Sequence, residues 1–207
     1  MDALNLPFYD FMVDIETTGT NPDRHAAIQL AAVAFDWDNG RVGPSFAVNI
    51  EMPAWRSWDE DTRNWWARQD PAVFTAVTEN PVHPFAAARL FVDWVRATSG
   101  ALQSPRMWAK PISFDFPFLA SLLRDAELQN PFHFRDAVDM QSFIRGTRFN
   151  PRAPAFDREV PFVGDAHNAL DDVYHQIRVA LVAKSRFVNP EGAYDAQDEH
   201  QPEAQQA

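Results

Sequence analysis

Two acidic residues near the start of this 207-residue chain are placed where they could bind a divalent cation. Asp14 and Glu16 end a short apolar run, and residues two apart in an extended strand point to the same face. Two carboxylates about 6–7 Å apart repel each other unless a cation lies between them. Because hard divalent cations prefer oxygen ligands, the pair predicts a metal site at a strand end.

Two further segments carry candidates for the same site. Asp115 follows a predicted strand over 106–110 and opens a predicted helix, while His167 is followed closely by Asp171 and Asp172. Ligands of open α/β sheets gather beyond the carboxyl ends of strands. Carboxylates from three segments suit phosphoryl chemistry with two Mg²⁺ or Mn²⁺ ions about 3.5–4 Å apart. A neighbouring histidine is a candidate base for the attacking water.

The elements that must position these residues follow from the apolar pattern and the turn residues. Strands are predicted over 7–13, 26–37, 45–50, 106–110 and 132–137, and helices over 59–68, 84–98, 116–127, 139–145 and 165–183. The second and third strands are joined by Asp38-Asn39-Gly40, a strong hairpin signal. This order predicts an α/β fold with a mixed five-stranded sheet flanked by helices.

Composition restricts the class of protein. The net charge of −11 argues against non-specific adhesion to polyanions, but metal-binding carboxylates count as negative until cations arrive. The absence of cysteine excludes disulfides, thiolate metal sites and cysteine nucleophiles, and no apolar run approaches the roughly 18 residues of a membrane span. We therefore expect a cytoplasmic protein with no membrane partner. Residues 1–189 are predicted to form one domain, and 190–207 an acidic, disordered tail.

The three acidic segments together resemble the motifs of the DEDDh 3′–5′ exonucleases. The segments are Asp14-Ile15-Glu16-Thr17-Thr18-Gly19, Ser113-Phe114-Asp115-Phe116-Pro117-Phe118-Leu119 and His167-Asn168-Ala169-Leu170-Asp171-Asp172. The family includes ribonuclease T and the proofreading subunit of replicative polymerases, and it has a ribonuclease H-like fold. The third motif and the Trp65-Trp66 pair look most similar to a branch with phage exonuclease A-type and bacterial 3′–5′ exoribonuclease-like enzymes. The resemblance spans about residues 9 to 183.

The resemblance implies a role for each acidic residue. Asp14, Glu16 and Asp172 would hold one metal ion, and Asp14 would bridge to a second. Asp115 would act at the second ion through water, and His167 would be the general base. The family spacing selects Asp172 over its neighbour as the ligand. The implied activity is hydrolysis of terminal phosphodiesters to nucleoside 5′-monophosphates, with two Mg²⁺ or Mn²⁺ ions per site.

The same motifs imply contacts to the substrate. Thr17, Thr18 and the backbone near Gly19 would contact the terminal nucleotide, together with Ser113 of the second motif. Phe118 is a candidate wedge beside the terminal base, and core packing is the equal alternative. The implied partner is a nucleic acid with a free 3′ end, single-stranded at that end. The choice between DNA and RNA, and between monomer and homo-oligomer, stays open.

Several alternatives remain at this point. Asp115 is also suited to a helix N-cap. His167 and Asp172 lie about 140° apart on an ideal helix, so they converge only if His167 precedes or opens the helix. Lys110 stands where the family often has Asn, which either weakens the second metal or supplies a phosphate contact. A catalytically silent nucleic-acid-binding or polymerase-associated module on the same fold is the alternative function.

Aromatic and basic residues outside the motifs have two interpretations each. The tryptophans at 55, 58, 65 and 66 are either a stacking platform for bases or part of the core. The arginines at 145, 148, 152 and 158 either follow a phosphate backbone or form a solvated loop that neighbouring acids neutralise.

Overall fold

A five-stranded sheet in the order β3-β2-β1-β4-β5 forms the centre of the computed structural model, which describes residues 7–100, 104–153 and 159–188. The strands are β1 Asp10–Thr17, β2 Ala27–Phe35, β3 Val42–Asn49, β4 Arg106–Ala109 and β5 Ala137–Asp139. β2 runs antiparallel to both of its neighbours, β1 and β3. On the other side, β4 runs parallel to β1, and β5 runs parallel to β4. The central position therefore belongs to β1, the strand with the first two candidate acids.

Helices cover both faces of this sheet. They are α1 Glu60–Trp66, α2 Pro71–Thr78, α3 Pro84–Ser99, α4 Ile112–Asp125, α5 Met140–Thr147 and α6 Ala169–Val188. One core lies between the sheet and α3 with α4, and the other lies between the sheet and α5 with α6. Within the described part of the chain, no helix is both long and apolar enough to cross a bilayer.

The alternation of side chains along β1 assigns each residue to one of these cores. Phe11, Val13 and Ile15 are buried in the core beneath α3 and α4, while Met12 is buried in the core beneath α6. Side chains two apart share a face of a strand, so Asp14 and Glu16 lie on the face that α6 covers. The strand thus directs both acids toward the helix that carries the third motif.

The structure corrects several predicted boundaries. The first strand continues to Thr17, because its backbone stays paired with β2 past both acids. The strand predicted over 132–137 is wrong: Phe134–Asp136 is a 3₁₀ turn, and β5 follows it. α2 was not predicted, although Asp70 caps it and Pro71 opens it.

Two corrected boundaries bear on the site. α4 begins at Ile112 with Pro111 as its N-cap residue, so Asp115 lies inside the first turn and is not the cap. α6 begins at Ala169 and not at 165, which leaves His167 ahead of the helix. The predicted tail over 190–207 and the arginine at 158 lie outside the described residues. In the segment that follows α5, Arg148 forms a salt bridge of 2.8 Å with Glu159. This agrees with the alternative in which neighbouring acids neutralise the arginines of the loop.

Candidate active site

The third motif reaches the β1 acids through an unusual turn ahead of α6. Gly164 (φ 107°) and His167 (φ 69°) both have left-handed backbone conformations. A Cβ atom at Gly164 would lie 2.4 Å from Cγ of Asp171, so only glycine fits there. The turn stops α6 from extending backward and places His167 beside the end of β1.

Hydrogen bonds in this turn separate the roles of two adjacent acids. The Asp165 N–H donates to Oδ2 of Asp171 at 2.9 Å, and the His167 N–H donates to Oδ2 of Asp172 at 2.8 Å. Single ligand atoms of Glu16, His167 and Asp172 lie within 4.8 Å of one another. The structure therefore brings Asp172 into the acidic cluster, whereas Asp171 holds the backbone of the loop.

Asp115 enters the cluster from the opposite side. It lies in the first turn of α4, only 3% exposed, and its Oδ1 accepts a hydrogen bond from the Ile15 N–H at 3.0 Å. Ile15 separates the two β1 acids, so this bond ties α4 directly to the acidic end of β1. Besides burial, which is the main cause, the negative charge of Asp115 raises the pKa of Glu16, and that of Asp14 raises the pKa of Asp115.

The four carboxyl groups make ionisation unfavourable for one another. Burial, and then the charge of Asp172, raise the pKa of Asp14 from 3.8 to about 7. Burial also raises the pKa of Glu16 and Asp115 well above the usual values for carboxyl groups, and that of Asp172 in the same direction. Like charges confined in a poorly solvated place favour a cation that neutralises them. The donor set is dominated by carboxylate oxygens, which fits a hard divalent cation.

Lys110 adds a positive charge on one side of the cluster. Its charge lowers the pKa of Asp14 and of Asp172, opposing the larger effect of burial at each. The parallel pairing of β1 and β4 ends at Met12 and Trp108, and Lys110 follows two residues after that pair. Lys110, which replaces the Asn that the family often has, therefore lies beside the acids. Its effect on metal binding stays a prediction.

A crevice of about 540 Å³ opens next to the acids. Its lining comes from the end of β1, from α1 and its flanks, and from α4, and it includes Glu16, Thr17, Gly19, Thr62, Trp65, Arg68 and Phe114. The indole of Trp65 packs edge-on against the imidazole of His167, with ring centroids 4.8 Å apart and an 81° interplanar angle. The crevice thus joins the acidic cluster to an aromatic wall.

The tryptophan cluster divides between core and crevice. Trp66 is buried, and its Nε1–H donates to the carbonyl oxygen of Thr17 at 3.2 Å. Trp58 packs beside it in the small core that includes Val77. Trp55 is 53% exposed and contacts Phe85 on a surface away from the crevice lining. Trp65 alone of these four contacts the histidine of the third motif.

The predicted nucleotide contacts are only partly brought together. Thr17 and Gly19 line the crevice, and Gly19 lies so close to His25 that a Cβ atom would be 2.1 Å from its Nδ1. Thr18 is fully buried, and its hydroxyl donates to the Ser57 carbonyl oxygen and accepts from the Ala26 N–H, so it shapes the loop.

The second-motif contacts differ from the prediction as well. Ser113 is exposed in the first turn of α4 and is not among the residues that line the crevice. Phe118 is 2% exposed within the core, so the core-packing alternative describes its position. Phe114 lines the crevice instead, one helical turn earlier, with its ring centroid 5.0 Å from that of Phe118. Sequence reasoning missed Phe114, although its position beside Asp115 was a usable signal.

Residues 9–183 match the protein family described as the 3′-5′ exoribonuclease Rv2179c-like domain. The chain belongs to this family. An exodeoxyribonuclease of enterobacteria phage T4 is 29% identical over 135 residues, a stretch that covers 59% of this chain and 59% of the phage protein. Family membership confirms the predicted relationship to 3′–5′ exonucleases, including its phage and bacterial branch.

Solved structures support the fold independently. The nuclease domain of 3′hExo, a DEDDh family member bound to rAMP, superposes with a TM-score of 0.68 at 14% identity, covering 88% of this chain and 94% of that domain. Pop2p of S. pombe, in a form bound to Mg²⁺ and Mn²⁺, has a TM-score of 0.64 at 15% identity, covering 87% and 84%. At these identities the likeness establishes the fold, and the predicted ribonuclease H-like sheet is confirmed.

Proposed function

We propose that this protein is a metal-dependent 3′–5′ exonuclease that releases nucleoside 5′-monophosphates. The observation that carries the proposal is the convergence of four carboxyl groups beside His167, with Glu16 also lining the adjacent crevice. The four are Asp14, Glu16, Asp115 and Asp172. Four mutually repelling carboxyls are costly to maintain, and a pair of divalent cations would offset that cost. Membership in the 3′-5′ exoribonuclease Rv2179c-like family and the likeness to nuclease structures support this assignment.

We assign the cation sites to residues as follows. Glu16 and Asp172, whose ligand atoms lie close together, would hold one ion with Asp14. Asp14 and Asp115 would hold a second. The ion-bound form of Pop2p supports the choice of Mg²⁺ or Mn²⁺. The bound cations supply charge neutralisation of the phosphate and acidify the attacking water.

The chain's own residues then carry the proton and orient the substrate. An imidazole nitrogen of His167 accepts the proton from the attacking water. The water oxygen forms a bond to the terminal phosphorus, and the bond from phosphorus to the 3′ oxygen of the preceding nucleotide breaks. That oxygen takes up a proton from solvent and becomes the new 3′-hydroxyl, His167 releases the proton it accepted to solvent, and the released product keeps the phosphate. Trp65 restrains the imidazole by its ring contact, and Asp172 restrains the backbone through the His167 N–H.

The crevice suits an unpaired terminal nucleotide. Its volume of about 540 Å³ lies directly beside Glu16, with Trp65 and Phe114 available for base stacking. Arg68 lines the same crevice and is suited to contact a phosphate of the entering strand. The substrate class is therefore a nucleic acid with a single-stranded 3′ end. Both sugars remain candidates, because the family is described for RNA and the phage relative for DNA.

Adjacent aspartates give a matched test of this proposal. Asp172→Asn removes a carboxylate of the cluster, whereas Asp171→Asn alters only the acid that holds the loop backbone. With 5′-labelled single- and double-stranded DNA and RNA in Mg²⁺, wild type should give a ladder shortened from the 3′ end. Asp172→Asn should lower the rate at least ~100-fold, and Asp171→Asn should stay within about tenfold of wild type. Equal rates for both variants would contradict the assignment, and absence of any wild-type ladder would favour the silent nucleic-acid-binding module.

A further inference from the structure

A buried glutamine contacts the first acid of the cluster. Gln176 lies on α6 four residues after Asp172, so both side chains lie on the same side of the helix. Its Nε2 donates a hydrogen bond of 2.8 Å to Oδ1 of Asp14. The residue is only 6% exposed, so the amide end of the bond is largely shielded from water. Gln176 belongs to none of the three motifs.

The other end of this amide is left unsatisfied. Oε1 of Gln176 is buried, and no donor among the described residues reaches it. A buried acceptor without a partner costs about 1–3 kcal/mol, whereas an apolar side chain of similar length would avoid that cost. A polar residue at such a position indicates that the Nε2 donor of the amide, which binds Asp14, has a role.

The bond restricts how Asp14 can act. Because Oδ1 accepts the amide hydrogen bond, the carboxylate cannot rotate freely, and both of its oxygens are held in one orientation. The amide holds the carboxylate without a positive charge, which would compete with a metal ion for Asp14.

We propose that Gln176 is a positioning residue that orients Asp14 for divalent-cation binding through the bond from its Nε2 to Oδ1. The inference rests on the proposed function, because the cation site is the one assigned above. Partners that orient metal ligands typically change metal affinity or activity by about 10–100-fold when they are removed. Loss of the amide should therefore weaken the cation site more than it weakens the fold.

Mn²⁺ binding to the full chain, measured by calorimetry without nucleic acid, tests this inference. Gln176→Met keeps the side-chain length and removes the donor, and its Mn²⁺ Kd should rise about 10–100-fold. Raising the Mn²⁺ concentration should restore kcat toward wild type while KM for an oligonucleotide stays unchanged. Ile177→Val, at the next and equally buried position of α6, removes a methylene without touching Asp14 and should leave the Mn²⁺ Kd unchanged.

A purely structural role predicts a different pattern. If Gln176→Met lowers Tm as Ile177→Val does and keeps the wild-type Mn²⁺ Kd, the inference is wrong. Should the Met variant not fold, Gln176→Asn withdraws the amide from Asp14 by one methylene, and a wild-type Mn²⁺ Kd in that variant would equally overturn it. Asp14→Asn distinguishes failure of the cation site from failure of the role of Gln176. If wild type binds Mn²⁺ no more tightly than Asp14→Asn, the proposed cation site itself is wrong.

Discussion

Removal of divalent cations should make the protein less stable as the pH rises through neutrality. The reason is the pKa of Asp14, which burial and the charge of Asp172 raise to about 7 in the folded chain from its usual 3.8. A carboxyl with a raised pKa binds protons more tightly when folded than when unfolded. Its contribution to stability is therefore complete below about pH 3.8 and is lost as the pH rises through 7.

The size of the effect follows from this shift. For one group with a folded pKa near 7, the free energy of unfolding falls by roughly 1.4 kcal/mol between pH 6 and pH 8. For a chain of this size that corresponds to a fall in Tm of about 3–6 °C. The pKa values of Glu16, Asp115 and Asp172 are also raised, so their contributions have the same sign.

Thermal unfolding in EDTA and in Mg²⁺ at pH 6, 7 and 8 measures this directly. In EDTA, Tm should fall across the series, and Mg²⁺ should raise Tm most at pH 8, where the carboxylates are ionised and bind it. Asp14→Asn should flatten the EDTA series, whereas Asp93→Asn, at an exposed position of α3, should leave its slope unchanged. A Tm in EDTA that stays constant or rises between pH 6 and 8 would contradict a raised pKa of Asp14 in the folded chain.

Three further substitutions, the last paired with a control variant, test the site and its support. His167→Ala should lower kcat on a labelled oligonucleotide by about 10²–10⁴-fold with far-UV circular dichroism unchanged, and an unaltered kcat would remove the base assignment. Trp65→Leu should raise KM for a single strand by roughly tenfold, because one stacking wall is lost; a wild-type KM would assign that role elsewhere. Arg56→Met breaks a buried pair with Asp125 and should cost about 3 kcal/mol in denaturant unfolding, whereas Arg124→Met, from an exposed pair, should cost under about 1 kcal/mol. Equal losses of unfolding free energy in the two variants would contradict the expectation that the less exposed pair contributes more to stability.

The acidic residues were predictable because their chemistry has a local signature. Asp14 and Glu16 share a face by strand periodicity alone, and Gly164, three residues before His167, allows a turn in which the histidine precedes the helix. The mixed sheet followed from the hairpin signal and the later alternation of strands and helices. These signals depend on neighbours along the chain, which the sequence displays directly.

The burial of individual side chains and the contacts between distant segments could not be predicted from the sequence. Phe114 and Phe118 lie one turn apart on the same side of α4, and only the packing against the sheet decides that Phe118 is buried while Phe114 lines the crevice. Gln176 has no motif, because its importance comes from a strand 162 positions earlier in the chain. β5 is three residues long and is defined by its pairing with β4, which apolar periodicity cannot show over so short a stretch.

The chemical identity of the released product is the most direct test of the proposed 3′–5′ exonuclease activity. Wild-type protein is incubated with a single-stranded oligonucleotide and Mg²⁺ in water enriched in ¹⁸O, and the products are separated and weighed by mass spectrometry. Attack of water on the terminal phosphorus predicts nucleoside 5′-monophosphates carrying one ¹⁸O atom and a strand that shortens from its 3′ end with a free, unlabelled 3′-hydroxyl. Inorganic phosphate, nucleoside 3′-monophosphates, or internal fragments as the first products would contradict the account.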